Sequence, residues 1–296
     1  MQNSSSHIHR SVFLVLVSIM VHSAAFARVD AVLGPLKLED NPNLVLLAPI
    51  SDHPEIMLSR PQYVISYNKE RRAPNWVSWR LQLSDLGRVT RSNDFSADAD
   101  LDQYFSQTLK SNDQAVVTSD YSGSCFTRGH QAPSGDRTDS VPDNQTTFFM
   151  SNMIPQTSYL NSVIWQHLEE YTRDLVQTEN KTLFIIDGPI YDQDYGSIGP
   201  KNDIKIPSKN FKVVVILDAN QTAADITNKT EMIAVIMPNI LEDGRPPIRT
   251  PDNKTCSGFQ ITNKNVSKDD WKQYITTVAD IEKQSGIEIF PALKNK

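Results

Sequence analysis

The sequence predicts an α+β fold in which a central sheet is flanked by helices. Several short runs alternate in polarity or are uniformly apolar and β-branched, as strands are. Two longer segments repeat apolar residues every three or four positions, as helices do. No internal repeat or shift in composition divides the 296 residues. A chain of this length can form one large domain, and we predict a single domain over residues 28–296.

The N-terminal segment has the order of a secretory signal peptide. Arg10 lies in a polar start, residues 12–21 are almost wholly apolar, and small residues follow up to Ala27 in an A-x-A pattern. The apolar run is about half of the ~20 residues that a membrane-spanning helix needs. We therefore expect cleavage near Ala27 and a secreted or periplasmic chain with no membrane attachment. An uncleaved membrane anchor is the alternative.

The strands are predicted from β-branched and aromatic runs. They lie at Tyr63–Tyr67, Trp76–Leu81, Thr146–Met150, Lys181–Asp187, Phe211–Asp218 and Glu231–Met237. The first two alternate with period two, and the last three are apolar enough for buried central strands. We expect a charged turn at Asn68–Asn75 and a poorly ordered lead-in at Arg28–Pro42.

Two helices are predicted, at Ser162–Thr178 and at Lys268–Gln284, with Leu241–Thr255 as a long proline-rich loop between them. The first helix has an apolar stripe formed by Ile164, Leu168, Tyr171 and Leu175. A second stripe, centred about 110° away at ~100° per residue, contains Asn161, Trp165, Glu169 and Arg173. This helix can therefore pack one side on the sheet and present an amide, a carboxylate and a guanidinium on another.

Charge and cysteine content limit the classes of function. The formal charge is −6, and it becomes −7 without residues 1–27, because Arg10 is the only Lys, Arg, Asp or Glu among them. Such an acidic chain is not an obvious nucleic-acid binder, so any phosphodiester site needs locally concentrated cations. Cys125 and Cys256 can form a disulfide in an oxidising compartment or remain free. The absence of paired CxxC motifs argues against a cysteine zinc site.

Thr127–Thr138 is the stretch richest in candidate chemistry. It places His130 beside arginines in a polar, glycine-containing loop, and His53 and His167 are the only other histidines after residue 27. A histidine in such a loop either meets solvent and substrate or hydrogen-bonds nearby backbone. The polar stripe on the helix also has ordinary explanations: Asn161 as a helix N-cap, and Glu169 with Arg173 as a surface ion pair.

Taken together, these segments resemble the DNA/RNA non-specific endonucleases with a ββα-metal site. The family signature is a DRGH loop, a strand reading roughly MTNxxPQ, and a helix with N-x3-W-x2-LE-x3-R. The corresponding segments here are Thr127–His130, Met150–Gln156 and Asn161–Arg173. The likeness extends to residues 61–79, 91–95 and 211–218. It implies a mainly antiparallel sheet with a ββα-metal catalytic motif.

The resemblance implies a role for each matched residue. His130 is the general base that activates water, since a neutral imidazole suits this at neutral pH. Asn161 is the single direct protein ligand to Mg2+, or to Mn2+ in its place, with water as most other ligands. Glu169 orients water at the metal. Contacts to phosphate oxygens are implied for Arg91, Arg128 and Arg173.

The implied function is a secreted, Mg2+-dependent endonuclease that hydrolyses DNA and RNA to 5′-phosphate ends. It would hold both substrates through the phosphate backbone, without sequence readout. The sequence does not identify an inhibitor protein as a partner. A catalytically weakened nucleic-acid-binding member of the same fold is the alternative, and a phosphodiesterase acting on small nucleotides or lipids is a third possibility.

One departure from the signature motivates the alternative. Thr127 stands where the family has an acidic residue, so a hydroxyl replaces a charge in the metal's water network, which predicts weaker metal affinity. Asp136 lies nearby in the sequence and is a candidate to restore that charge.

Three weaker signals remain. A groove that stacks bases and binds phosphates can be built from Arg71, Arg72, Arg88, Trp76 and Trp79, although tryptophans more often lie in a core. A basic run that is either a solvated face or a substrate contact is formed by Lys201, Lys205, Lys209 and Lys212. Glycosylation sequons, relevant only in a host that glycosylates exported proteins, include Asn144, Asn180, Asn228, Asn253 and Asn265.

Overall fold

The computed structural model describes residues 29–248, 256, 258–263 and 265–293. The predicted signal peptide lies outside these residues. Within them, the strands are β1 (Val29–Leu33), β2 (Ile50–Ser51), β3 (Glu55–Ser59), β4 (Val64–Asn68), β5 (Ala73–Leu81), β6 (Thr127–His130), β7 (Met153–Gln156), β8 (Lys181–Ile190), β9 (Ser197–Ile198), β10 (Ile204–Lys205), β11 (Lys209–Asp218), β12 (Met232–Pro238) and β13 (Ile287–Glu288). The α-helices are α1 (Ala99–Gln103), α2 (Val141–Thr146), α3 (Trp165–Glu179) and α4 (Val278–Ser285).

The main sheet has seven strands in the order β1-β3-β4-β5-β8-β11-β12. Every neighbouring pair in it is antiparallel except β1 with β3. One face packs Trp79 and Val214 against Val176 of α3, and the other packs Trp76 against Ile281 of α4. The prediction of an α+β fold with a central, mainly antiparallel sheet between helices is confirmed.

Most of the predicted strands are present. The runs beginning at Tyr63, Trp76, Lys181 and Phe211 correspond to β4, β5, β8 and β11, and the turn between β4 and β5 shortens to residues 69–72. The run at Glu231–Met237 becomes β12, but β12 is an edge strand, so its prediction as a central one was wrong. Both tryptophans are buried, with Trp76 at 0% and Trp79 at 1% exposure, so they are core residues and not a base-stacking groove.

The strand predicted at Thr146–Met150 was wrong. Ser140 caps α2, because its side chain accepts a hydrogen bond from the backbone N–H of Asp143, and a proline follows in the first turn. A helix therefore starts after Ser140, and it includes Thr146, the first residue of the predicted strand. The next residues turn back, with the side-chain amide of Asn152 donating to the carbonyl of Thr147 at 2.9 Å.

The lead-in predicted at Arg28–Pro42 was also wrong for its described part. Residues 29–33 form β1 at the edge of the sheet, parallel to β3. A 3-10 turn follows at Leu38–Asp40, and the buried side chain of Asn41 then donates to the carbonyl of Arg60 at 2.9 Å. The segment is held mainly by backbone pairing, which alternation of side chains does not reveal.

The first predicted helix is confirmed as α3, preceded by a π-helical turn at Leu160–Ile164 and ended by Asn180 in the left-handed conformation. The second predicted helix, Lys268–Gln284, is broken in two. A 3-10 turn covers Asp270–Tyr274, Ile275 then forms a bridge to Val235 of β12, and Thr277 caps α4. Pairing with the open edge of β12 interrupts the helical pattern.

Cys125 and Cys256 form a disulfide, with their Cα atoms 5.2 Å apart, so of the two alternatives left open by the sequence the bridged one is found. The bond links residues 131 positions apart, and it joins the segment before β6 to the part of the chain in which Phe259 packs edge-on against Phe126. No helix of the described residues is long and apolar enough to cross a bilayer.

Reduction of this disulfide is expected to destabilise the protein by about 2–4 kcal/mol, because it releases a large closed loop in the unfolded chain. The melting temperature should fall by roughly 5–10 °C in dithiothreitol. The sequence contains no other cysteine, so the reductant acts on this bond alone. The Cys125→Ser/Cys256→Ser variant serves as the control: it should melt at the lower temperature with or without reductant, and equal melting of all samples would contradict the prediction.

Candidate active site

A ββα unit carries the candidate site. β6 and β7 pair antiparallel, with His130 opposite Met153, and the chain then enters the π-helical turn and α3. The segment Thr127–His130, predicted as a loop, is therefore a strand. A β-carbon at Gly129 would lie 2.1 Å from Oε1 of Gln156, so a larger residue here would force the buried Gln156 side chain to move.

The predicted site residues line two adjoining clefts. The first, of about 470 Å³, is lined by Arg91, His130, Asn161, Glu169 and Arg173 among others. The second, of about 460 Å³, is lined by Arg128 and Thr127 and shares Arg91 and Asn161 with the first. The structure thus brings all six predicted residues to one region, where the two clefts meet at Arg91 and Asn161.

His130 is buried at the wall of the first cleft, with 7% of its surface exposed. Its Nε2 has no hydrogen-bond partner among the described residues, while the backbone of Arg128 hydrogen-bonds the ring, which must then engage Nδ1. Burial, together with the smaller effects of the guanidinium groups of Arg91 and Arg128, lowers the pKa of His130 to about 3. The imidazole is therefore neutral near pH 7, with the Nε2 lone pair free to accept a proton.

Two phenylalanines hold the imidazole and the flanking arginines. The rings of Phe95 and Phe148 contact His130 edge-on, with centroids 5.6 Å and 4.9 Å away. Arg128 lies 4.0 Å over the ring of Phe95, and Arg91 lies 4.8 Å over that of Phe148. Each ring therefore fixes one guanidinium beside the histidine, an arrangement that cation–π attraction favours.

The two guanidinium groups beside His130 lack an ion-pair partner among the described residues. Arg91 instead donates hydrogen bonds to Ser134 at 2.7 Å and to Asn93 at 2.8 Å. Unpaired cations at the edges of a cleft are suited to bind an anion, and guanidinium groups match phosphate oxygens in geometry.

Asn161 lies in the π-helical turn that precedes α3. The backbone N–H of Trp165 bonds to the carbonyl of Leu160, five residues back, and the N–H of Asn161 bonds to the carbonyl of Thr157. Asn161 is therefore inside the turn and is not a helix N-cap. The wider turn directs Asn161 toward the clefts while Trp165, four positions on, is 1% exposed and belongs to the core. The prediction that Trp165 shares the polar face was wrong.

Glu169 and Arg173 follow on the cleft-facing side of α3. They do not form the surface ion pair considered from their spacing, because Arg173 binds Asp136 at 3.1 Å instead. Burial raises the pKa of Glu169 to about 7, against the opposing effects of Lys212 and Arg173. No side chain of the described residues donates a hydrogen bond to this carboxylate, which leaves it available to water in the cleft.

Thr127 and Asp136 do not supply the missing acidic group. The hydroxyl of Thr127 donates to the carbonyl of Gln156 at 2.9 Å. Asp136 is 1% exposed and accepts hydrogen bonds from Trp79 at 2.9 Å and from Arg173 at 3.1 Å. Its charge is therefore neutralised by Arg173, and the idea that it restores a charge at a metal was wrong.

The donor set of the cleft fits a hydrated hard cation. Within the described parts of the chain, no group of three His, Cys, Asp or Glu residues could hold a metal ion. What the cleft offers is the amide oxygen of Asn161 with the carboxylate of Glu169 as a neighbour. Mg2+ keeps several waters and binds through few protein oxygens, so these residues fit it, whereas a metal needing a closed set of side-chain ligands does not fit.

The weaker cationic candidates lie elsewhere. Arg71 stacks on Tyr191, and Nη1 of Arg72 donates to both carboxylate oxygens of Asp203. Lys209 binds Asp192, and Lys212 is buried beside Asp187, so its prediction as part of a solvated or substrate-binding face was wrong. No residue of the proposed arginine groove or the basic run lines either cleft.

Several residues at the site were missed by sequence reasoning. Phe148 and Ser134 support Arg91, and Asn152 clamps the chain after β6 by bonding both the N–H and the carbonyl of Ala132. Phe95 could have been found, since it ends the Arg91–Phe95 segment that the resemblance included. Phe148, Ser134 and Asn152 belong to no spacing or motif that would mark them as site residues in a single sequence.

Residues 47–296 match the sequence family described as DNA/RNA non-specific endonuclease. The fold is an α+β architecture in which a ββα unit carries a cleft lined by an imidazole, an amide and guanidinium groups. Because the match covers most of the chain, the protein belongs to the DNA/RNA non-specific endonuclease family.

Individual relatives are also nucleases by name. The chain is 40% identical over 186 residues to a nuclease of Nostoc sp., an alignment that covers 62% of this chain and 63% of that one. It is 31% identical over 202 residues to mitochondrial Endonuclease G of Bos taurus, covering 64% and 62%. This chain thus spans less than two thirds of either relative. Nuclease C1 of Cunninghamella echinulata var. echinulata is 29% identical over 249 residues, covering 80% and 83%.

A solved structure shares the fold. A chain of the crystal structure of the EndoG/EndoGI complex superposes with a TM-score of 0.58, at 24% identity, over 78% of this chain and 84% of that one.

Proposed function

We propose that this protein is a metal-dependent endonuclease that hydrolyses phosphodiester bonds of DNA and RNA with little sequence preference, leaving 5′-phosphate ends. One observation carries the proposal: the unpartnered Nε2 of neutral His130 borders a cleft that it shares with Asn161 and the unpaired guanidinium of Arg91. A base, an oxygen donor for a cation and an anion-binding group are the parts that attack of water on a phosphodiester requires.

In this proposal, His130 accepts a proton from the attacking water through Nε2, while the backbone of Arg128 holds the ring in the required tautomer. Arg91 and Arg128 bind the non-bridging oxygens of the phosphate. Asn161 would hold Mg2+, which supplies Lewis-acid stabilisation of the charge that develops on the phosphate and the leaving 3′ oxygen. Glu169 accepts hydrogen bonds from the water beside Asn161 and keeps it ordered.

Contacts of this kind read the backbone and not the bases. The charged residues of the two clefts contact anions in any sequence, which supports action on both DNA and RNA. They also concentrate positive charge at one place on an otherwise acidic chain of net charge −6.

The test is an assay of purified protein on supercoiled plasmid and on RNA. We expect hydrolysis of both with Mg2+ or Mn2+, and none after EDTA. Products should be ligatable if they carry 5′-phosphates. Binding without hydrolysis at any metal concentration would instead identify the weakened nucleic-acid-binding protein that Thr127 motivates. Turnover confined to dinucleotides would indicate a small-substrate phosphodiesterase.

We further propose that the chain is exported and cleaved near Ala27. The charged, apolar and small-residue order of residues 1–27 and the Cys125–Cys256 disulfide both support this localisation. Mass spectrometry of the protein recovered outside the cytoplasm should give the mass of residues 28–296. Retention of residues 1–27 in a membrane fraction would contradict it.

The pH dependence of hydrolysis is expected to follow Glu169. Because the pKa of His130 is lowered to about 3, the imidazole stays neutral from pH 5 upward and adds no step near its ordinary value. Glu169, with its pKa raised to about 7, loses its charge as the pH falls through neutrality, so kcat/KM should decline there. The measurement is kcat/KM on plasmid from pH 5 to 9 at saturating Mg2+. Glu169→Gln should lack the step near pH 7, and an unchanged profile in that variant would refute the assignment.

A further inference from the structure

One buried amide joins the segment that carries Arg91 to the turn that follows β6. Asn144 of α2 is 1% exposed, and its Nδ2 donates to the carbonyls of Ser134 and Arg137, both at 2.9 Å. Its Oδ1 accepts a hydrogen bond from the backbone N–H of Ser92 at 3.0 Å. The two segments joined in this way both reach the first cleft, because Arg91 and Ser134 line it.

The Arg91 segment depends on this amide for its position. Residues 86–95 form neither helix nor strand. From residue 90 to residue 94, the N–H of Ser92 makes the only backbone hydrogen bond to another segment of the described chain. A stretch with so few bonds has many conformations to lose when it becomes ordered. The bond between Ser92 and Asn144 therefore restricts where the neighbouring Arg91 can lie.

The guanidinium of Arg91 is held by acceptors on both of the joined segments. Its Nε donates to Oδ1 of Asn93 at 2.8 Å, and its Nη1 donates to Oγ of Ser134 at 2.7 Å. Asn93 follows Ser92 directly, and the carbonyl of Ser134 accepts from Asn144. One amide thus fixes the backbone beside both acceptors. The remaining nitrogen, Nη2, has no hydrogen-bond partner among the described residues and is left to bind an anion.

We propose that Asn144 is a positioning residue for phosphate binding: by joining the two segments, it fixes the guanidinium of Arg91 where the two clefts meet. The inference rests on the proposed function, in which Arg91 binds an oxygen of the phosphate. Asn144 lines neither cleft, so it acts through Arg91 and not by contact with substrate. An arginine that is already held in place loses less side-chain entropy when it binds an anion, and it therefore binds more tightly.

Binding to a short DNA duplex in EDTA, followed by fluorescence anisotropy over a series of salt concentrations, tests this role without hydrolysis. Each phosphate contact that is lost reduces the slope of log K against log[salt] by about 0.9. We expect Arg91→Ala to show that reduction, Asn144→Ala to show most of it, and Arg91→Ala/Asn144→Ala to match Arg91→Ala. A wild-type slope in a folded Asn144→Ala protein would overturn the proposal, and so would a further reduction in the double variant.

Asn239 provides a matched control. It is 0% exposed, its Nδ2 donates to two backbone carbonyls at 3.0 Å and 2.8 Å, and its Oδ1 accepts from the N–H of Thr157 at 2.9 Å. This amide makes the same three kinds of bond, but none of them to the segment that carries Arg91. Asn239→Ala should lower the melting temperature as Asn144→Ala does, and it should keep the wild-type slope. Equal reductions of the slope in the two variants would show a general effect of destabilisation and would contradict the proposal.

Hydrolysis gives a second, independent measurement. Misplacement of Arg91 should lower kcat/KM on plasmid by about 10–100-fold in Asn144→Ala. The double variant should be no slower than Arg91→Ala, because the effects of two residues that act through one contact do not add. If the wild-type protein binds DNA and hydrolyses nothing, the proposed function fails, while the salt dependence of binding still decides the role of Asn144.

A second variant covers a loss of folding. Asn144→Ser keeps a polar side chain that is too short to join the two segments, so it should give the same reduced slope if Asn144→Ala does not fold. If neither variant folds at the temperature of the assay, the amide is required for the fold itself, and the proposal is overturned.

Discussion

Replacing His130 by alanine is expected to lower the rate of DNA and RNA hydrolysis by about 1,000-fold, because the variant loses the one imidazole among the described residues that line the first cleft. The loss should fall on kcat, with KM for the polymer little changed, since the guanidinium groups of Arg91 and Arg128 remain. The measurement is the initial rate on plasmid and on RNA under saturating Mg2+.

A matched control exists on the same unit. His167 of α3 lies one residue before Leu168 and lines neither cleft, so His167→Ala should retain near wild-type rates. The buried ring of His130 also packs on Phe95 and Phe148, so melting temperatures of both variants must be compared. A folded His130→Ala protein that cuts at the normal rate would remove His130 from the mechanism.

Replacing Asn161 by alanine is expected to reduce hydrolysis by about 100-fold and to raise the Mg2+ concentration needed for half-maximal rate. The amide is the one predicted direct protein ligand to the ion, so the cleft would lose its only specific hold on it. Asn161→Asp keeps an oxygen donor and adds a negative charge, so this variant should need less Mg2+ than Asn161→Ala. Rates over a Mg2+ series, together with calorimetric Mg2+ binding, test both effects.

Gln166 provides the control for Asn161. It also presents an amide to the first cleft, but it is exposed and engaged with Glu170 at 2.9 Å. Gln166→Ala should leave the Mg2+ dependence unchanged. If Asn161→Ala and Gln166→Ala respond alike, the metal is held elsewhere.

The parts of the fold that the sequence could predict are those in which side-chain burial sets the pattern. β8 and β11 are apolar runs because both of their faces are covered, and α3 shows its apolar stripe because one side packs on the sheet. β1 and the Ile275 bridge could not be predicted, because backbone pairing holds them at sheet edges. β6 was concealed by its polar residues, which face the clefts and not a core.

The functional site also contains residues that the sequence could predict and residues that it could not. Its six candidate residues were found because a family resemblance supplied the joint spacing of Thr127–His130 and Asn161–Arg173 and also included residues 91–95, and the structure places them around two adjoining clefts. Their supports were not found, because Phe148, Ser134 and Asn152 reach the site through loop packing. A lysine read as one of a basic run gives no sign that β11 places it inside the protein.

The direction in which the Asn161 side chain points depends on the number of residues in the π-helical turn at Leu160–Ile164. Deleting one residue there would let the ladder close with ordinary α-helical bonds and rotate the chain before it by about 100° relative to Glu169 and Arg173. The apolar side of α3 would stay in place, so the protein could keep its hydrophobic core and lose the alignment of its ligand. Insertions and deletions at this turn should therefore be far less tolerated than substitutions on the solvent face of the same helix.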